Sequence, residues 1–211
     1  MTAIPESGPG ARRNWGFVIG AGILGLVALV ALFAPLVAPH DPYAQNLALR
    51  LKPPFWHEGA EPGYWLGTDQ LGRDYLSRLI YGARISLALG IGAVLISGII
   101  GITLGLVAGY FGGWIDTAIS AVITTRLSLP VVLVALAVVA IVGGSLTVVL
   151  LVIGLLLWDQ FAVVARTATM ALRNAEYVAA AQAIGASKLH ILTREILPNI
   201  RAPLIVVATV E

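Results

Sequence analysis

Residues 173–199 read RNAEYVAAAQAIGASKLHILTREILPN and form the long polar interval between two apolar runs in the second half of the chain. From Leu172 to Ile184 nearly every residue is a good helix former, and Gly185 is the type best able to take the left-handed conformation that ends a helix. Ser187 can then cap a second helix, in which Leu189, Leu192 and Ile196 recur at i, i+3 and i+7. Pro198 withholds a backbone donor and is expected to stop it. Two short helices at an angle result. The first carries Tyr177, Ala180, Ala181 and Ile184 on one side, and the two alanines let a partner approach the backbone at little cost in side-chain entropy. The spacing predicts a docking surface and no catalytic one.

The rest of the chain supplies the setting for that hairpin. Of 211 residues, 58% are hydrophobic and 11% charged, and the mean hydropathy is +0.91. A soluble domain does not have this composition; a polytopic membrane protein does. A net charge of +2, with the basic residues scattered between apolar runs, gives no footprint for nucleic acid. The absence of cysteine rules out disulfides, thiolate metal sites and a cysteine nucleophile. His40, His57 and His190 lie far apart without ligand-like spacing, so no metal site is expected. Neither a phosphate-binding Gly-Lys-Ser/Thr loop nor a nucleophile with a base is present, so the chain is expected to be no enzyme and to bind no cofactor itself.

Upstream of the hairpin, residues 1–13 form a polar tail with Arg12 and Arg13, which favour a cytoplasmic N-terminus. Residues 14–37 read as a first transmembrane helix. Residues 38–84 are polar and rich in proline and aromatics, an ordered segment at a membrane surface. Thr68 or Asp69 is expected to cap an interfacial helix there, with Leu71, Tyr75, Leu79 and Ile80 on its apolar side. Residues 85–211 form the core, with spans at about 85–109, 115–142 and 146–165 and the start of a fifth at 200–211. Gly101, Gly105 and Gly109 repeat every fourth residue on one face and point to close packing against a neighbouring helix, in this chain or a partner. Pro130 should kink the third span. Arg126 is expected to face protein or the near interface. Asp159 reads either as an interfacial anchor near Arg166 or as a proton-relay group.

Two stretches resemble a known family. Ala180, Ala181, Gly185, Ile196, Leu197 and Pro198 match the "EAA" loop of permease subunits in bacterial ATP-driven importers. Ala179 stands where the glutamate that names the loop would fall, and Glu176 lies one turn earlier on roughly the same face. The run Gly67-Thr68-Asp69, Gly72-Arg73-Asp74 and on through Ser77 resembles the stretch before the second span in C-type permeases of dipeptide, oligopeptide and nickel importers.

The resemblance implies an all-α polytopic bundle of the type I ABC-importer permease kind, C-terminally truncated here because the fifth apolar run stops at Glu211. It implies a bacterial inner-membrane subunit, most readily for di- or oligopeptides, that moves cargo by alternating access. Its partners would be a second permease subunit, two ATP-binding-cassette ATPases carrying ATP and Mg, an extracytoplasmic substrate-binding protein and the lipid bilayer, with no nucleic acid. Residues 170–199 would be the cytoplasmic ATPase-docking loop, through Glu176, Tyr177, Ala180, Ala181, Ile184, Gly185, Ser187, Ile196, Leu197 and Pro198. Two alternatives stay open. One is an ion- or proton-coupled secondary transporter using Asp159, Asp116 and Arg126; the other is a membrane scaffold needing only the spans and the glycine seam.

Overall fold

The computed structural model describes residues 15–210, in which the regular structure is helical. The predicted N-terminal tail lies outside the described residues. The chain divides into two compact units, residues 1–87 and 88–211.

In the first unit, α1 (Trp15–Leu32) covers the apolar run, and a turn at Phe33 leads into the short α2 (Ala34–Val37), with Pro35 at its start. A 3-10 turn over Leu47–Leu49 follows, with Asn46 accepting from the Ala48 amide at 3.2 Å. Next in the chain is α3 (Tyr75–Phe111), 37 residues long and unbroken. Two expectations are corrected here. Thr68 and Asp69 do not cap a helix, because Asp74 does so one turn later: its Oδ2 accepts from the Ser77 amide at 3.0 Å. No separate interfacial helix precedes a span starting at 85. Between Tyr75 and Phe111 there is no proline to interrupt the backbone ladder, so the two elements are one rod.

In the second unit, α4 (Gly113–Leu127) and α5 (Val131–Val142) meet at an angle of 78° across Ser128–Pro130. Pro130 is itself extended (φ −68°, ψ 109°) and cannot donate, which makes this a sharp break and more than a kink. The apolar α6 (Leu146–Leu156) and α7 (Trp158–Leu172) form one span of 27 residues with an interruption at Leu157. By length and composition two helices can cross a membrane, or three if the bent α4–α5 pair counts as one span.

The hairpin that dominates the sequence departs from expectation at both ends. Its first helix, α8 (Glu176–Ala183), starts later than Leu172, because α7 runs through that residue and a turn at 173–175 reorients the chain. Ser187 caps α9 (Lys188–His190), accepting from the His190 amide at 3.2 Å. Pro198 does not stop the second helix. The backbone widens into a π-helical stretch over Ile191–Ile196, in which the Leu197 amide donates to the Leu192 carbonyl five residues back. The wider turn relieves the clash of the Pro198 ring with the preceding turn, and α10 (Leu197–Val210) continues without a break.

Candidate functional site

The glycines of α3 sit directly on the backbone of α7. A Cβ at Gly101 would lie 2.2 Å from the Trp158 carbonyl oxygen, one at Gly105 2.5 Å from that of Ala162, and one at Gly109 2.6 Å from that of Arg166. Each glycine meets the carbonyl one turn further along, so the two helices touch backbone to backbone over two turns. The neighbouring helix left open by the sequence is thus within the chain.

That contact anchors the hairpin. Phe161 and Ala165 of α7 share one buried cluster with Val178 and Ala181 of α8 and Ile191 and Ile196 of the π-helical stretch. The hairpin therefore has an inner and an outer face. Tyr177, Ala180 and Ile184 fall at i, i+3 and i+7 of α8 and its C-terminal turn and point outward; Ile184 is 86% exposed. Glu176, Gly185, Ser187 and Pro198 are exposed as well, whereas Leu197 is half-buried. Ala181 and Ile196 are corrections to the sequence-predicted surface. Ile196 has no exposed area and Ala181 is buried, because the hairpin needs an apolar underside to hold it against α7. Gly185 has φ +81°, and a Cβ there would meet nothing within 4 Å. At this position glycine serves the backbone conformation, not packing.

The four charges of α4 and α7 are paired across the two helices. Arg166 holds Asp116 with two hydrogen bonds, from Nε to Oδ1 and from Nη2 to Oδ2 (2.7 Å). Asp159 is no interfacial anchor: it is 4% exposed and faces Arg126, itself buried, with Nη2 to Oδ1 at 3.4 Å. Because α4 and α7 are neighbours, Arg126 reaches Asp159, and Arg166 pairs with Asp116 instead. Protonating either carboxylate would leave a guanidinium uncompensated, which counts against a proton relay.

The comparisons agree with this architecture. Residues 101–211 match the family described as binding-protein-dependent transport system inner membrane component. The chain belongs to that family. Residues 11–54 of the permease also match the N-terminal TM domain of oligopeptide transport permease C. It is 42% identical over 198 residues to the dipeptide transport system permease protein of Haemophilus influenzae, covering 94% of this chain and 67% of that one. It is 43% identical to the di/tripeptide transport system permease protein of Pseudomonas aeruginosa, covering 94% and 66%. With the glutathione transport system permease protein of Pectobacterium atrosepticum the identity is 38%, covering 89% and 60%. The chain thus spans about two thirds of the length of these relatives.

The second family-like stretch of the permease, residues 66–74, works as a clasp. The Thr68 amide donates to the Lys52 carbonyl at 3.1 Å, its hydroxyl accepts from the Lys52 amide at 2.9 Å and donates to the Leu49 carbonyl, and the Asn46 amide donates to the Leu71 carbonyl at 3.2 Å. Gly67 and Gly72 have positive φ, and a Cβ would lie 2.3 Å from the Lys52 oxygen and 1.7 Å from the Asn46 oxygen, respectively. Only glycine lets the two strands of chain approach this closely. Asp69 accepts from the Leu71 and Arg73 amides at 2.8 and 3.0 Å and pairs with the guanidinium groups of Arg73 and Arg78. Asp74, almost fully buried, accepts from the Ser77 hydroxyl and lies 3.6 Å from His40 Nδ1. His40 in turn stacks on Tyr64 with ring centroids 4.5 Å apart. Sequence reasoning missed this role for His40, which only the return of the chain brings next to Asp74.

A pH dependence follows for the clasp. Burial alone would raise the Asp69 carboxyl, but the Arg73 and Leu71 amides and the Arg73 guanidinium outweigh it and lower the value from 3.8 to about 2. A depressed carboxyl stabilises the fold above its ordinary pKa, and that contribution disappears as pH falls from about 4 towards 2. Fluorescence of the purified permease, read through Trp56 and Trp65, should therefore change over that interval. Asp69→Asn should show the changed signal already at neutral pH and flatten the titration.

Proposed function

We propose that this chain is the permease subunit of an ATP-driven ABC importer for di- or oligopeptides, and that residues 170–199 couple ATPase motion to translocation. The observation that carries this is the two-faced hairpin: an exposed, largely apolar outer face at Tyr177, Ala180 and Ile184, set on an underside that shares its core with α3, α7 and α10. A push on such an outer face moves the packed helices beneath it, because close-packed interiors transmit displacement and do not absorb it. The names of the relatives support peptide as cargo. In this reading residues 1–13 and 170–199 are cytoplasmic and residues 38–84 extracytoplasmic. A second permease subunit, two ATPases that hold ATP and Mg, and a substrate-binding protein complete the machine in the bacterial inner membrane. The chain itself is non-catalytic.

The test is Gly185→Leu. With φ at +81°, any Cβ costs about 1–2 kcal/mol of backbone strain or swings α9 out of line. Among the described residues nothing meets that Cβ within 4 Å, so membrane insertion and pairing with the second permease should persist. ATPase capture in a pull-down, or the ratio of peptide taken up to ATP hydrolysed in reconstituted vesicles, should collapse. Unchanged capture together with unchanged uptake would sink the docking role.

A further inference from the structure

A groove of about 680 Å³ runs between α3 on one side and α9, the π-helical stretch and α10 on the other. From α3 it takes Leu95, Ile99, Thr103 and Val107, one residue from each successive turn. Leu95 and Val107 stand about 18 Å apart along the helix, slightly more than one leaflet's share of an apolar core about 30 Å thick. Among the described residues of the wall only Arg201 is charged. One turn beyond Val107 on the same side of α3 stands Phe111, and one residue before Leu189, which lines the groove, stands Lys188. The Lys188 Nζ lies 5.2 Å from the centre of the Phe111 ring. The groove therefore ends against a second, polar pocket of about 500 Å³, whose wall includes Phe111, Lys188, Arg173, Asn174 and Gln182 and no carboxylate. Gly112 makes room there for Arg173, since a Cβ on it would lie 2.9 Å from Nη1. The Arg173 guanidinium spends one donor on the Gly109 carbonyl at 3.3 Å, and among the described residues neither it nor Lys188 has a carboxylate partner. Asp116, which also feels Arg173, is already held by Arg166. An apolar slot one leaflet deep thus leads to uncompensated cations at the end of a span.

We propose that one anionic phospholipid occupies both, its acyl chain lying in the groove along α3 and its phosphate held by Lys188 and Arg173. Basic pockets at the ends of membrane helices select anionic headgroups in this way. A free phosphate or an acidic loop would use the polar pocket alone; a lipid uses the two together. A zwitterionic lipid has the same chains but brings its own cation to the phosphate, and so gains less from these residues. Lys188 belongs to the hairpin and Phe111 to α3, so the bound headgroup ties the hairpin to the end of that helix. The lipid site goes beyond the importer reading and does not depend on it.

Native mass spectrometry tests this on the assembled transporter in detergent, supplied with equal amounts of dioleoyl phosphatidylglycerol and dioleoyl phosphatidylcholine. One phosphatidylglycerol per permease should be retained about tenfold over phosphatidylcholine, the scale of one charge-assisted hydrogen bond. Lys188→Gln should cut that preference several-fold and Lys188→Glu should abolish it, whereas Lys188→Arg should keep it. Ile99→Trp fills the groove and leaves the cations alone, so it should release phosphatidylglycerol too. Equal retention of the two lipids by the wild type would overturn the proposal. A preference that survives Ile99→Trp but is erased by excess inorganic phosphate would do the same, because the site would then be one for a free anion. If Lys188→Glu loses its ATPases yet holds phosphatidylglycerol as the wild type does, the pocket belongs to an acidic face of that partner and the lipid site falls. A complex that retains lipid as expected but moves no peptide with ATP in vesicles would count against the importer reading alone.

Discussion

Asp159→Ala, with Arg126 left in place, should leave little folded permease in the membrane. The substitution strands a guanidinium that is about nine-tenths buried in the apolar interior, and uncompensated charges of this kind cost about 3–5 kcal/mol. That is a large part of the whole stability of a domain. Arg126→Met alone should be similarly damaging, since it strands the carboxylate. The double variant Arg126→Met and Asp159→Leu removes both charges and should recover most of the folded protein, as a buried pair replaced by apolar residues is often neutral or better. Heat-induced loss of the folded species in detergent, measured for both single variants and the double, gives the coupling. Additive losses in the double variant would mean that the two residues do not compensate each other.

Adding side chains to the glycine seam should give the other large effect. At Gly105 a Cβ would lie 2.5 Å from the Ala162 oxygen and 2.6 Å from the Ala165 Cβ, closer than atoms can approach. The helices must separate at this point to make room. Gly105→Ala is expected to cost about 1–3 kcal/mol, and Gly105→Leu more. Combining Gly101→Ala, Gly105→Ala and Gly109→Ala should displace α7 and, with it, the underside of the hairpin. Gly90→Ala in the same helix is the control. A Cβ there meets nothing within 4 Å, so the change should be neutral or stabilising by up to about 1 kcal/mol through helix propensity alone. Equal effects at Gly90 and Gly105 would show that helix propensity, and not close packing, sets the outcome.

The hairpin shows where local sequence suffices. The turn at Gly185 and the cap at Ser187 depend on backbone preferences that act within four residues, so residue type alone specifies them. The start of α8 and the fate of Pro198 are different. Leu172 to Ile184 has helix-forming residues throughout and could have been one helix; the demand that Val178 and Ala181 reach the core shared with Ile191 breaks it at 173–175. Pro198 stops a helix only if no wider turn can take up the missing bond, and the π-helical stretch before it does so. Likewise, Thr68 and Asp69 are good caps by type, but their side chains are engaged by a segment about twenty residues earlier and by the arginines that follow.

Composition and periodicity by themselves determined the helical, membrane-embedded class of the permease, because apolar runs without charge have few other stable states. Spacing alone also marked the glycine seam as a packing face, since every fourth residue returns to the same side of a helix. Only the tertiary structure decided which helix fills the seam, which residues of the hairpin point inward, and that Arg126 pairs with Asp159 while Arg166 takes Asp116. The ion pairs and the glycine seam join residues 30 to 60 positions apart, and all of these contacts are chosen by how whole helices pack. No local preference carries that information.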